Sequence, residues 1–384
     1  MEYKARELFE QAGLPVKKGV TADSVDELVA AVEQHKGLAF PLVCKAQVQV
    51  GGRGKAGGIK IAQDMEDLKT VAGQILGMEI KGHVVRRLMA VEKADISKEL
   101  YLSVMLDRLT KCPLIIFSPK GGMDIEEVSR TTPEAICKIA VNPLKGITQD
   151  VETRLLEMAE IPQESAAQFV DTLHKLYDFF LSTDCLLAEI NPLAVDESGA
   201  IIALDGKVSV DDSALYRQPA VAEFKKLLEK EENPLIKDAQ DWNFLYIPCD
   251  PKGTIAVSSN GSGMLMSCMD RIHDNGMSVY AGLDLGGGAT SERIKEAVRI
   301  ISSGEQVKAV FINIFGGITR CDEVASGIRL AKEIYGIDKP IVVRFEGTNK
   351  DKGLEIINGL ENVIYADGLI QGVEELVKRK EQLL

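Results

Sequence analysis

The sequence predicts a mixed α/β protein of two domains, the second built on a parallel sheet. Three observations lead there. A polar, acidic segment carrying Pro234, Leu227 to Asp241, separates two better-patterned stretches and places the main boundary. After Gly253, short apolar runs alternate with amphipathic helical ones, as βα units do. Before the boundary, strand-like segments such as Pro41 to Val50 mix with helical ones such as Val151 to Leu181.

The 384 residues, 45% hydrophobic and 27% charged, suffice for two or three cores at roughly 150 residues per domain. A net charge of −13 repels nucleic acid and anionic membranes, so neither is an expected partner. MEYKARELFEQ has no apolar signal core and contains the acids that organelle presequences avoid, and no long apolar run is available to span a bilayer. Seven scattered cysteines without a C-x-x-C pair read as reduced thiols. The expected location is the cytoplasm.

In the second part the strand candidates are Thr254 to Ser258, Val279 to Leu285, Ala309 to Ile314, Ile341 to Phe345 and Val363 to Ala366. The first four run into the glycine-containing loops NGSG, GGGA, FGGI and EGTN. Strand, loop and helix in that order imply right-handed crossovers, which gather all four loops at one sheet edge. Backbone N–H groups and helix N-termini there suit a phosphate or carboxylate.

In the first part, Gln34 to Gln63 holds Lys36, Lys45, Arg53, Lys55 and Lys60 but no acid. About four or five acids would be expected in such a window, so this stretch is built to meet something negative. Alternation in LVCKAQVQV puts Lys45, Gln47 and Gln49 on one face of a half-buried strand. GGRGKAGG, residues 51–58, leads into a second strand, Ile59 to Ala62, and lacks the Lys-Ser/Thr of a P-loop. It reads as a glycine-rich hairpin able to fold over phosphates.

LLAEINPLAVDESGAIIALDGKVSV reads as a further hairpin turning at Asp196 to Gly199. Centred on Ser198, it sets Asn191 across from Asp205 and Glu189 across from Lys207, with Ala188, Ile190, Ile202 and Leu204 on the apolar face. Pro192 marks an edge strand or a break in the ladder. A carboxylate beside an amide oxygen suits Mg²⁺, which takes a few oxygens and completes its shell with nucleotide phosphates, so Asn191 and Asp205 are the candidate ligands.

Together GGRGKAGG, AEINPL, LDGK and NIFGGITRCD resemble the succinate–CoA ligase (succinyl-CoA synthetase) β-subunit family, in order and spacing from about Glu2 to the C-terminus. The resemblance implies an ATP-grasp nucleotide-binding domain over 1–232 and a flavodoxin-like CoA-ligase domain over 240–384. By motif, Lys45 and Gly52, Arg53 and Gly54 contact ATP or ADP phosphates, and Glu92 and Glu99 lie near the nucleotide's hinge and ribose. Asn191 and Asp205 hold Mg²⁺, Glu189 meets a histidine of the partner, and Asn260 with Gly317, Ile318 and Thr319 contacts substrate and the phosphohistidine loop. The helix after Gly317 is expected to present its N-terminus to that anion.

The implied reaction is reversible formation of succinyl-CoA through a phosphohistidine and an acyl phosphate. The implied partner is an α subunit that binds CoA and carries the histidine, in αβ or α2β2 assembly. Of His35, His83, His174 and His273, none sits in a glycine-rich loop at a strand end. Arg320 and Arg344 read as surface arginines. Ser262 stands where the family has alanine, leaving malate–CoA ligase or a citryl-CoA synthetase large subunit as alternatives, with an ATP-grasp carboxylate–amine ligase more distant. GTP or GDP stays open beside ATP.

Overall fold

The structure, a computed structural model, describes residues 1–229 and 233–383. The chain divides into Met1–Glu223 and Phe224–Leu384. The first-domain end expected at residue 232 lies outside the described residues. Much of the expected linker is helical, in Pro219–Glu229 and Pro234–Asp241; Asn233 caps the latter, whose Ala239 enters the core of the second unit.

The first unit has two cores. Strands β1 (Gly19–Ala22), β2 (Leu42–Ala46), β3 (Ile59–Ala62) and, after the small hairpin β4 (Glu79–Ile80) and β5 (His83–Val84), β6 (Leu88–Glu92) form an antiparallel sheet ordered β1-β6-β2-β3. Ser24 and Asp64 accept backbone N–H groups at the starts of helices Val25–Gln34 and Met65–Ile75. These helices bury Leu28, Val32, Leu68 and Ile75 in the core of that sheet.

β7 (Ile96–Asp107), β8 (Cys112–Ser118), β9 (Cys137–Ala140), β10 (Cys185–Asp196), β11 (Ile201–Ala203) and β12 (Gly206–Val210) form the second sheet. Phe9 meets Phe179 and Phe117 meets Phe169 edge-on in its core. The helical run expected over Val151 to Leu181 is two helices, Gln149–Ala159 and Gln163–Ser182. They are divided at Glu160, which is left-handed, and Pro162.

The hairpin register matches the sequence expectation. Glu189 pairs with Lys207, Ile190 with Gly206 and Ala194 with Ile202, and Asn191 N–H donates to Asp205 O at 3.0 Å. Of the two readings of Pro192, the break is the observed one: β10 lies between β7 and the β11/β12 pair, and its ladder with β7 shifts between Ile190 and Leu193.

The second unit is a six-stranded sheet of β13 (Leu245–Pro248), β14 (Ile255–Ser259), β15 (Val279–Asp284), β16 (Ala309–Gly316), β17 (Ile341–Gly347) and β18 (Val363–Tyr365), ordered β13-β15-β14-β16-β17-β18. The last five are parallel, in the 2-1-3-4-5 order of a flavodoxin-like sheet. All four glycine loops therefore leave the same edge. The antiparallel edge strand β13 went unrecognised, because LYIP is too short and proline-ended to show a period. No described helix is long and apolar enough to cross a membrane.

Phe311 is fully buried in central β16, and the sole tryptophan, Trp242, packs on a core of the same unit. Phe311→Ala should cost about 3–5 kcal/mol, read as a lower urea midpoint of the Trp242 fluorescence transition.

Candidate active site

The strand expected over Pro41 to Val50 ends at Ala46; Ala46 N–H to Gly58 O at 2.7 Å and Gln47 N–H to Arg87 O at 2.9 Å carry the two registers one step further, and the chain then bends at residues 49–51. Residues 52–58 close in successive turns, so the glycine-rich connection is a folded loop between paired strands rather than an extended hairpin. Lys45 and Gln47 are buried, not half-exposed. Gln47 Oε1 accepts Tyr3 N–H at 2.9 Å and its amide donates to Lys45 O.

Lys45 Nζ donates to Glu2 Oε1 at 2.7 Å and to Leu204 O at 2.8 Å. Arg53 turns inward, donating to Glu2 Oε2 and, at 2.7 Å, to Asp205 Oδ2, while Lys55 in the same loop is exposed. Thus Lys45, Arg53 and Asp205, taken from a strand, a loop and the turn into β12, meet around Glu2. Burial opposes the Glu2 charge, but Lys45 and Arg53 together hold its carboxyl below the usual range. Burial, with Glu2 beside it, pushes Asp205 up to about 6 against the pull of Arg53 and Lys45.

Asn191 faces the 121–123 loop. Its Oδ1 accepts Gly122 N–H at 2.8 Å and its Nδ2 donates to Met123 O at 2.9 Å. Glu99, on β7 opposite Ala194, accepts Gly121 N–H through its carbonyl, and its carboxylate lies against Gly122. Glu92 ends β6 in the first sheet, so Glu92 and Glu99 flank the crossing from one sheet to the other. Among the described residues no three His, Cys, Asp or Glu side chains cluster as a metal cage. An amide oxygen and one carboxylate linked through Asn191 N–H and Asp205 O fit Mg²⁺ that takes its other oxygens from phosphates and water.

Glu189 lies one pleat repeat from Asn191 on β10, about 7 Å along the strand. Its Oε2 accepts from Tyr101 Oη at 2.9 Å. Burial lifts its carboxyl, helped by Glu126 and Asp124 and opposed by the Tyr101 hydrogen bond and Lys207. The residues missed by sequence are Glu2 and Tyr101, while Gln47 is found on the face it was expected to share with Lys45 but without a role assigned to it. One signal was available: five cations without an acid in their own window require carboxylates from elsewhere in the chain.

In the second unit the loops are fastened to one another. Asn260 Nδ2 donates to Phe315 O at 2.8 Å and its Oδ1 accepts Phe315 N–H at 3.0 Å, so the NGSG loop is tied to β16. Thr319 is buried and its Oγ1 accepts Gly288 N–H at 3.0 Å, joining the third loop to the second. Gly317 and Ile318 are exposed, Ile318 by 85%. Arg320 is a surface arginine paired with Asp322 and Glu323. Arg344 is not: it is half-buried beside the Phe315 ring, near Asn313 and Ile314 O, with its Nε buried and unbonded.

The helix starts at this edge differ in charge. Cys321–Tyr335 carries Asp322 and Glu323 in its first turn, and Ser291–Ser302 carries Glu292 and has its first N–H on Glu323. Ser262–Asp274, entered from Gly261, has no acid in its first turn and no side-chain cap. Of these three starts Ser262–Asp274 alone has no acid in its own first turn, a property that Leu369–Val377 shares. The Ser262 hydroxyl donates to Asp284 Oδ2 at 2.5 Å, and Asp284 Oδ1 accepts Gly286 N–H at 2.9 Å.

Comparison with known proteins agrees with this division. Residues 1–195 match the ATP-grasp domain family and 258–370 the CoA-ligase family. The succinate–CoA ligase [ADP-forming] β subunit of Desulfatibacillum aliphaticivorans is 44% identical over 364 residues, 93% of this chain and 92% of that protein. That of Azoarcus sp. (strain BH72) is 40% identical over 385 residues, 98% of each. Among solved structures, ATP citrate lyase from Methanothrix soehngenii in complex with citrate and coenzyme A shares the fold, with a TM-score of 0.74 at 20% identity, covering 98% of this chain and 96% of that one.

Gly122 has φ +73°, and a Cβ there would lie 2.2 Å from Glu99 Oε2. Gly122→Ala should cost about 1–2 kcal/mol in backbone conformation and also displace Glu99 and Asn191. The expected result is weaker Mg·ADP binding by calorimetry, out of proportion to the fall in melting temperature.

Proposed function

Because the chain belongs to the succinate–CoA ligase β-subunit family, we propose that it is the nucleotide-handling subunit of a reversible, ADP-forming succinate–CoA ligase. The observation that carries the reading is the convergence of Lys45, Arg53 and Asp205 beside the strand bearing Asn191 and Glu189. Lys45 and Arg53 neutralise phosphate oxygens, and the turns at Gly52 and Gly54 let the backbone approach them. Asn191 and Asp205 are the residues to hold Mg²⁺, which supplies charge neutralisation on the phosphates when bound. Glu92 and Glu99, flanking the sheet crossing, are the carboxylates this reading assigns to the ribose hydroxyls.

The transferred γ-phosphoryl passes to an imidazole nitrogen of a histidine on an α subunit, releasing ADP. From there it passes to a carboxylate oxygen of succinate, and the CoA thiolate then attacks the acyl carbon and expels phosphate. Glu189, fixed by Tyr101, accepts the N–H of the imidazole's other nitrogen, which keeps the attacking nitrogen unprotonated. At the second unit, the uncapped start of Ser262–Asp274 and the stitched loops at Asn260 and 317–319 form this subunit's share of the acyl site. Protein catalysis here is placement and charge compensation of a moving phosphoryl group.

Glu189→Gln separates these roles. With the α subunit and ATP, phosphorylation of the partner should slow by about a hundredfold or more, while nucleotide affinity changes little; equal losses would remove the role. Stability moves the other way. A carboxyl raised in the folded state favours folding below its unfolded pKa and loses that contribution as pH rises through its folded value. At neutral pH the Gln variant should therefore melt higher than wild type, and the gap should close as pH falls below the ordinary glutamate range.

The Ser262 hydroxyl is already spent on Asp284, which supports succinate over a hydroxylated acid. Assays of the reconstituted complex with succinate, malate and citrate should give succinate as the preferred acid, and Ser262→Ala should leave that order unchanged. Preference for malate or citrate would overturn the substrate.

A further inference from the structure

Glu2 lies outside every motif of the sequence, yet its carboxylate joins both phosphate-facing cations. One oxygen accepts from Lys45 and the other from Arg53, and the side chain is 3% exposed. The next residue is anchored as well, since Tyr3 N–H is bonded to the buried Gln47 side chain. That hydrogen bond fixes the backbone from which the Glu2 side chain reaches the two cations. The second anion on Arg53, Asp205, is less confined, with 29% of its side chain exposed.

We infer that Glu2 is a positioning residue of the nucleotide site, a fixed brace that keeps Lys45 and Arg53 in place while Asp205 exchanges Arg53 for metal. This rests on the nucleotide reading above. The donor count supports it. A lysine ammonium has three N–H groups, and Glu2 and Leu204 O take two of those on Lys45, so one can serve a phosphate. The Arg53 Nη1 is directed at Glu2 and Ala46 O, while Nη2 is on Asp205.

When Asp205 turns to Mg²⁺, Nη2 is released to a phosphate oxygen, and Glu2 prevents the guanidinium from following the carboxylate. Without Glu2, Arg53 can close on Asp205 through two parallel hydrogen bonds, which removes a phosphate ligand and a metal ligand together. The loss should therefore be greater with Mg²⁺ than without it, a dependence that a purely structural role does not produce.

The test is calorimetric titration of the full-length protein with ADP, with Mg²⁺ and with EDTA, for wild type, Glu2→Gln and Glu2→Asp, each checked by thermal melt. Both variants should lose about ten- to a hundredfold in Mg·ADP affinity and less in EDTA, with the KM for succinate unchanged in the reconstituted enzyme. Wild-type affinity in either folded variant overturns the inference. So does tighter binding by Glu2→Gln, which would make Glu2 a competitor of the phosphates. Where Glu2→Gln fails to fold, Glu2→Asp, which keeps the charge but not the reach, decides. Failure of wild type to bind Mg·ADP would instead remove the nucleotide reading itself, and the inference with it.

Discussion

Two cations held inside the first unit, Lys45 and Arg53, set the constraint that the fold around them must satisfy. Like charges at 4 Å repel by about 4 kcal/mol in an effective dielectric of 20, and each also loses hydration on burial. Glu2 bonds to both, and Asp205 takes the outer side of Arg53. These residues come from the N-terminal helix, the first sheet, the glycine-rich loop and the turn into β12. Charge compensation thus fastens together elements far apart in sequence. Removing Glu2 leaves Lys45 without its ion-pair partner and removing Arg53 leaves Asp205 without one, and a buried charge so orphaned costs more than the pair contributes when intact.

The second unit meets an anion by a different route. At its loop edge the side chains bond mainly to backbone: Asn260 to Phe315, Thr319 to Gly288, Asp284 to Gly286. The loops are tied to one another, and the helix Ser262–Asp274 starts with no acid in its own first turn, its Ser262 hydroxyl held by Asp284. The partial charges of a helix start cost little to leave uncompensated, because they do not titrate and need no counterion. Full charges suit a polyphosphate and backbone dipoles suit a carboxylate or a single phosphoryl group, so the proposed function would divide the ligands between the two units by charge density.

Where a local period or a symmetric turn decides the outcome, the sequence is legible. Centring a hairpin on Ser198 determines every pairing from Ala188–Val208 to Val195–Ile201, and five apolar runs, four of them followed by glycine loops, determine the parallel sheet. Tertiary partners decide the rest. LVCKAQVQV alternates for nine residues, but the ladder runs out just past Ala46: Ala46 still bonds to Gly58 and Gln47 to Arg87, and the chain then bends into the glycine-rich loop. Arg344 reads as a surface arginine until β16 and the Phe315 ring cover its stem. Glu2 is one of many acids on an amphipathic helix, and only its long-range pairing distinguishes it.

That pairing also reconciles a chain of net charge −13 with polyanionic substrates. At physiological ionic strength a charge is screened beyond about 8 Å, so the overall field weakly opposes approach while the last few ångströms determine binding. Lys45 and Arg53 act within that distance, and Glu2 and Asp205 cancel much of their field further out. Asp205 is the compensating group that can be recruited by an arriving cation, and Glu2 is not. On the proposed reading the positive charge of the site is unmasked mainly when metal arrives with nucleotide, and free phosphate and other small anions meet four charges that sum to zero.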